Sequence, residues 1–295
     1  MKNIRKQIKT VGLIANLDKA ARASVVAQRA ARLIQRAGRA VCADEATARL
    51  AGLKCETFPD TGAVAQAADV LLVFGGDGTM LRVVRDLDGQ ETPMIGINIG
   101  TLGFLTAIPA KEIDSSLQAL WKGDYTVESR PLMEATGVCA ARPIRMHAFN
   151  DIVISHGAVS RLIELDVTVD GENLTRYRGD GLVVCSPSGS TAYSLSAGGP
   201  IISPTADVFA ITPICAHALS NRSVIVSQRS VVQVKLLSQE METIVSADGR
   251  VAAGFKGGDS IKIFRSRRQV KLLTLASGSF FDAVRRKLRW SGSAV

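Results

Sequence analysis

The run Val70-Leu71-Leu72-Val73-Phe74 is apolar throughout and ends in a glycine cluster, which predicts a short buried strand. It leads into Gly75-Gly76-Asp77-Gly78-Thr79 and then an apolar, basic stretch from Met80 to Arg85. That order predicts a strand, a tight turn with few side chains, and a helix from Thr79 to Leu87. Glycine at three of the first four turn positions allows positive φ and close approach of a ligand to the amides. Upstream, Thr10 to Leu17 predicts a first strand. Val26, Ala30, Leu33, Ile34 and Ala37 share one helical face of Ala20–Ala37, with Gly38 as its cap. Arg39 to Ala43 reads as a second strand and Pro93 to Ile99 as a further one. A helix from Pro109 carries Ile113, Leu117, Leu120 and Trp121 on one face and stops at Gly123. Strands alternating with helices predict an α/β doubly wound, mostly parallel sheet, whose ligands bind beyond the carboxyl ends of the strands.

From Tyr125 the period shortens. Ile163, Leu165, Val167 and Val169 alternate with polar residues up to Asp170-Gly171, a half-buried strand and a hairpin turn. Thr243 to Ala247 followed by Asp248-Gly249 repeats the pattern. Val224–Ser227, Val231–Leu237, Ser260–Phe264 and Val270–Leu275 add strands. This half predicts an all-β, antiparallel sandwich-like domain. Residues 1–123 and 124–275 are thus expected as two domains sharing an interface. In the tail, 276–295, Phe280, Phe281, Val284 and Leu288 stand at helical spacing, an amphipathic helix expected to dock on the body.

Composition narrows the classes. With 295 residues and 46% hydrophobic, the chain supports full cores. It holds no apolar run of membrane-spanning length, and Asn16 and Asp18 interrupt the apolar stretch after the basic N-terminus. A soluble, cytoplasmic protein with no membrane partner is expected. Cys42, Cys55, Cys139, Cys185 and Cys215 are dispersed without a CxxC, which suits reduced thiols. His147, His156 and His217 have no metal-ligand spacing, so no protein-held metal is expected. The net charge of +9 suits an anionic partner, but the basic ends carry no interleaved aromatics that would stack on bases, so nucleic acid is not the expected one.

Three constellations carry chemistry. The glycine turn is neither a Walker A loop nor a GxGxxG fingerprint. Its amides at a helix start suit phosphate, and Asp77, a carboxylate that would repel phosphate, suits acid–base chemistry. Asn150-Asp151, before the apolar Ile152-Val153-Ile154, offers an amide and a carboxylate that together hold a diol or simply form a turn. The densest stretch runs from Arg178-Gly179-Asp180-Gly181 to Gly198-Gly199-Pro200. Ser188, Ser190 and Thr191 there offer hydroxyls and amides at a helix predicted from Thr191, and Tyr193 can border a base. No Gly-x-Ser-x-Gly elbow frames a serine nucleophile.

Together, Gly75–Thr79, Gly96-Ile97-Asn98 through Gly103-Phe104, Asn150-Asp151, and Asp180-Gly181 through Gly199-Pro200 resemble the NAD kinase family, in that family's order and over most of the chain. The resemblance implies transfer of the terminal phosphate of ATP, or of polyphosphate, to the 2′-hydroxyl of the adenosine ribose of NAD, giving NADP. It implies Asp77 as general base, with Gly76, Gly78 and Thr79 by the phosphates. Asn98 and Phe104 come with the second motif, and Asn150 and Asp151 would hold the ribose. Arg178, Asp180, Ser188, Thr191, Ala192, Tyr193, Ser194, Leu195 and Ser196 would line the NAD site, with Arg161 and Arg250 as further contacts. A divalent cation, Mg²⁺ or Mn²⁺, would come with ATP, the assembly would be a homodimer or homotetramer, and the tail would return to the first domain. Asp151 stands where many members have Glu and Ser188 where many have Thr; both keep the functional group. Two other classes share features: a diacylglycerol-type lipid kinase, which has the same GGDG turn, and a non-catalytic dinucleotide-sensing or nucleic-acid-binding module.

Overall fold

The apolar runs of the first half form parallel strands β1 (Thr10–Ala15), β2 (Ala40–Asp44), β3 (Glu56–Phe58), β4 (Val70–Gly75) and β5 (Met94–Asn98). A two-residue strand, β6 (Ile108–Pro109), pairs with β5. The computed structural model describes residues 8–106, 108–157, 162–217, 222–239, 242–275 and 279–290. Helices α1 (Ala20–Arg36), α2 (Glu45–Ala51), α3 (Thr61–Ala67), α4 (Asp77–Asp86) and α5 (Ile113–Lys122) connect the strands. The chain divides into two units, Met1–Arg130 with Gln269–Val295, and Pro131–Arg268.

In the first unit the strand order is β3-β2-β1-β4-β5, all parallel. Val11, Leu13, Val70, Leu72 and Phe74 share a core with Ala23, Ala27 and Ile34 of α1 and with Ile113, Leu117 and Leu120 of α5. Gly12 points to the opposite face, where a Cβ would press on Val64 of α3 at 2.7 Å. Both faces of the sheet are therefore covered, and β4 is buried along its whole length. β1 and β4 are neighbours whose chains continue in opposite directions across the sheet. That is the switch point at which doubly wound sheets bind ligands.

Two helices and a strand between residues 45 and 67 escape sequence patterning. α2 and α3 have only seven residues each and bury mainly alanine and threonine, so no apolar stripe marks them. Their caps do the work: Asp44 accepts from the Thr47 amide at 2.6 Å, and Asp60 from the Ala63 amide at 2.8 Å. Gly38 and Gly123 end α1 and α5 in the left-handed region, as their places predict.

The second unit is antiparallel. Its strands begin with β7 (Tyr125–Cys139, starting in the first unit), β8 (Arg142–Ala148), β9 (Asp151–His156), β10 (Ile163–Val169), β11 (Glu172–Gly179) and β12 (Gly181–Cys185). They continue with β13 (Val208–Ile214), β14 (Val224–Ser227), β15 (Val232–Leu236), β16 (Thr243–Ala247), β17 (Arg250–Phe255) and β18 (Ser260–Leu275). One sheet is ordered β14-β13-β12-β9-β16-β17; the other contains β11-β10-β15-β18 with β7 and β8. Ile152, Val184 and Phe209 of the first sheet and Leu165, Val234 and Ile261 of the second meet in one core, a sandwich. β18 joins what patterning divides into two strands, because polar Arg265–Gln269 stay extended between the apolar runs. Its last part belongs to the first unit, where Leu272 pairs with Met94. A four-residue helix, α6 (Tyr193–Ser196), follows a 3-10 turn, and α7 (Phe280–Leu288) closes the described chain. Among the described residues no helix is long and apolar enough to cross a membrane.

Candidate active site

The carboxyl ends of β1 and β4 carry Asn16 and the glycine turn. The turn is tighter than patterning predicts: α4 starts at Asp77, with Gly76 as its N-cap, rather than at Thr79. None of Gly75, Gly76 and Gly78 has positive φ, so these glycines serve space and not the left-handed region. A Cβ on Gly75 would sit 2.2 Å from Thr79 Oγ1, inside the turn. A Cβ on Gly76 or Gly78 would meet nothing within 4 Å, so both leave the first turn of α4 open to an incoming group. Thr79 is buried and accepts from Asn16 Nδ2 at 2.8 Å, which ties the ends of β1 and β4 together.

Asp77 is clamped by the loop after β5. Phe104 N donates to Oδ2 at 2.8 Å, Leu105 N to Oδ1 at 3.0 Å, and both the amide and hydroxyl of Thr106 to Oδ1 at 3.3 Å. Gly103 passes so close that a Cβ would fall 1.9 Å from Oδ1. The helix N-terminus adds a favourable dipole for this carboxylate. Asn98 organises the loop from inside. It is buried, donates to Thr101 O at 2.6 Å and Thr106 Oγ1 at 3.0 Å, and accepts from Gly100 N at 2.8 Å. Its side chain thus shapes the clamp instead of offering free atoms to a ligand. α7 adds a cation: Lys287 Nζ lies 4.0 Å from Asp77 Oδ2 and 4.5 Å from the centre of the Phe104 ring, while Phe280 stacks tilted against Phe104.

In the second unit, Asn150 and Asp151 lie at the start of β9, both buried. Asp248, in the β16–β17 turn, holds them by the backbone. It accepts from Phe149 N at 2.8 Å, Asn150 N at 2.7 Å and Asp151 N at 3.2 Å, and its own amide donates to Asp151 O at 3.0 Å. Ser186 fastens the other side: its amide donates to Asn150 O and its hydroxyl to Phe149 O. Gly189 packs so tightly there that a Cβ would lie 2.0 Å from Asn150 O. Asn150 Oδ1 is buried without a hydrogen-bond partner, so it is an acceptor left for something else to satisfy. Burial, and then the neighbouring Asp248 carboxylate, push the Asp151 carboxyl up to about 7.

The rest of the dense stretch divides by burial. Tyr193 and Ser196 are exposed, and Ala192 and Leu195 half-buried. Ser194 is fully buried, bonded to Thr212 Oγ1 at 3.1 Å, so its hydroxyl supports the turn from beneath. Thr191 Oγ1 donates to Ser188 O at 3.2 Å. The helix predicted from Thr191 is a 3-10 turn, Ser188–Thr191, followed by α6, because Gly198 at positive φ ends it after one turn. Asp180 stands between β11 and β12, Arg178 is exposed on β11, and Arg250 opens β17 two residues after Asp248. Arg161 lies outside the described residues.

Residues 11–125 match the family profile described as ATP-NAD kinase N-terminal domain, and residues 149–275 the one described as ATP-NAD kinase C-terminal domain. The chain belongs to the NAD kinase family. NAD kinases of Syntrophotalea carbinolica and Geotalea daltonii are 38% and 39% identical to it over 239 residues, covering 80% and 81% of this chain and 83% and 84% of theirs. The fold is likewise that of solved members. The yeast NADH kinase complexed with NADH superposes with a TM-score of 0.86 at 27% identity, covering 98% of this chain and 90% of that one. An NAD kinase from Archaeoglobus fulgidus in complex with ATP gives 0.74 at 26% identity, covering 95% and 98%.

Two residues, one in each unit, hold or face the motif residues without any local signal of that role in the sequence. Asp248 carries only the signal of a hairpin turn, Asp-Gly, and nothing local marks it as the anchor of residues about a hundred positions earlier. Lys287 sits in a basic helical tail that reads as solvated charge.

Proposed function

We propose that this chain transfers the terminal phosphate of ATP, or of polyphosphate, to the 2′-hydroxyl of the adenosine ribose of NAD. The observation that carries the reading is the clamped carboxylate of Asp77 at the open N-terminus of α4, at the switch point of the parallel sheet. Phosphoryl transfer rests mainly on positioning and on neutralising charge. Donor phosphates would lie over Gly76 and Gly78, with the helix N-terminus and Lys287 supplying positive potential. Asp77, held in one rotamer by the Phe104–Thr106 amides, would take the proton from the ribose hydroxyl, a contribution on the order of 10²–10⁴ in rate.

Asn150 and Asp151 would hold the NAD ribose, and the orphaned Asn150 Oδ1 supports that role as an acceptor for a hydroxyl. Arg178, Asp180, Ser188, Thr191–Ser196, Arg161 and Arg250 are proposed to line the NAD site, with Tyr193 bordering a base. Residues 1–123 would thus serve mainly the phosphates, 124–275 the dinucleotide, and the tail 276–295 would complete the first domain. No group of three or more His, Cys, Asp or Glu that could hold a metal occurs among the described residues. A Mg²⁺ or Mn²⁺ ion would arrive with ATP and be held by its phosphates. Bound there, the ion would neutralise charge on the transferring phosphate. A cytoplasmic homodimer or homotetramer is the proposed working form. The test is direct: incubate the protein with ATP, Mg²⁺ and NAD and measure NADP. Accumulation of NADP supports the reading; its absence, with phosphorylation of a diacylglycerol instead, overturns it.

A further inference from the structure

A cavity of about 600 Å³ opens beside the glycine turn and shares no residue with Gly75–Thr79. It lies between the first turns of α1, the loop that follows β5, and Pro109–Lys111. Its walls are apolar: Ala21, Val25 and Val26 from α1, Ile99 and Leu102 from the loop, and Pro109. Val25 is 65% exposed, an unusual outlay of apolar surface for a helix position facing water. No aromatic ring lines the cavity, which removes a stacking partner for a base.

Charge at the cavity has one sign. Arg22 and Lys111 line it and no carboxylate does. Lys19 Nζ lies 2.9 Å from where a Cβ on Gly100 would stand, so a third cation reaches the same wall. None of these three cations makes an ion pair among the described residues, whereas Arg29, two turns beyond Arg22 along α1, pairs with Asp114. Apolar walls with unmatched positive charge complement a molecule built the opposite way: one anionic head on an apolar body.

The cavity wall is also the loop that clamps Asp77. Asn98, Ile99, Gly100 and Leu102 line the cavity, and the next residues, Phe104 to Thr106, donate to the Asp77 carboxylate. Asn98 joins the two ends of the loop through Gly100 N, Thr101 O and Thr106 Oγ1. An occupant that contacts Ile99 and Leu102 therefore acts on a hydrogen-bonded unit whose far end sets the position of Asp77.

We propose that this cavity is a binding site for an amphipathic anion of the fatty-acid class, and that its occupancy is transmitted through the Asn98–Thr106 loop to Asp77. The binding half of the proposal stands by itself; the consequence for catalysis rests on the kinase reading.

The probe is dodecanoate below its micellar concentration, titrated calorimetrically into the full chain, with acetate and dodecyltrimethylammonium as controls. One saturable site is expected for dodecanoate only. Arg22→Glu combined with Lys111→Glu should weaken it at least about ten-fold. Ala21→Trp, at an exposed helix position, should fill the cavity and abolish binding. Amide resonances of Phe104, Leu105 and Thr106 should shift on saturation and stay fixed in Ala21→Trp. Absent or unsaturable binding, equal binding of the cationic amphiphile, or binding untouched by the charge reversal overturns the site. Binding without movement of the three amide signals overturns the transmission. NADP formation from ATP, Mg²⁺ and NAD is measured in parallel without dodecanoate, so failure of the kinase reading shows up separately from failure of the site.

Discussion

At the scale of single residues, the clamp around Asp77 explains why a carboxylate stands in a turn suited to phosphate. Four donors hold it, so its position is set before any substrate arrives. Asp77→Asn keeps the size and one acceptor oxygen but cannot take a proton. NADP formation should fall by roughly 10²–10⁴ while NAD binding, measured calorimetrically, stays close to the parent's; thermal stability should fall by the roughly 1–3 kcal/mol of one donor left without its acceptor, and near-normal turnover would remove Asp77 from the base role. Gly103→Ala tests the geometry instead of the chemistry, since its Cβ would displace Asp77 Oδ1. Turnover should drop sharply although the carboxylate is still present. Asp151 makes stability depend on pH. Its carboxyl titrates at about 7 in the fold, above the ordinary value of 3.8. The protonated form therefore contributes stability that is fully present below about pH 4 and lost as pH rises through 7. Asp151→Asn removes that loss, so its melting-temperature advantage over the parent should grow from about pH 5 to pH 8. The difference is worth on the order of a few kcal/mol; equal melting curves at both pH values would mean that Asp151 is an ordinary carboxylate.

At the scale of elements, the β16–β17 hairpin does more than reverse the chain. Asp248 and Gly249 both take positive φ, at 47° and 75°, which turns the Asp248 carboxylate onto the amides of residues 149–151. Asp248→Ala would leave these amides without their acceptor, at roughly 1–3 kcal/mol for the first unsatisfied donor. Because the segment that Asp248 holds carries Asn150 and Asp151, the KM for NAD should rise more than that for ATP. Steady-state kinetics with each substrate varied in turn checks this, and equal rises would limit Asp248 to a role in folding. α7 is the second such element. It brings Lys287 to 4.0 Å from Asp77 and rests Phe280 on Phe104, so a tail helix bears on the clamp itself.

At the scale of the whole molecule, the thiols report on both units. Burial pushes Cys42, Cys139 and Cys185 up to about 11, and all three are buried. Cys215 is exposed and Cys55 half-buried. Asp180 beside Cys215 pushes its thiol up and slows it, so a thiol reagent near neutral pH should label Cys215 first by exposure but slower than a free thiol, Cys55 more slowly still and the other three only on unfolding. Peptide mapping after timed labelling checks this. Early modification of Cys42 or Cys185 would mean that the parallel sheet of the first unit or the β9–β12 sheet opens locally.

Elements specified by local physics are legible along the chain. Buried strands such as β4 show as apolar runs, α1 as a stripe, the ends of α1 and α5 as glycines, and the hairpins as Asp-Gly pairs. The chemical motifs were legible for the same reason: glycine turns and clustered hydroxyls are local patterns. Short helices built on alanine, α2 and α3, were not legible, because their stability comes from caps and packing and not from a stripe. What each motif residue does follows from contacts between segments far apart in the chain. Asn98 and Ser194 turned inward to hold a loop and a turn, while Asp248 and Lys287 were brought from distant positions to Asp151 and Asp77. The reason is physical: a hydrogen bond across a hundred residues leaves no trace in the spacing of either partner.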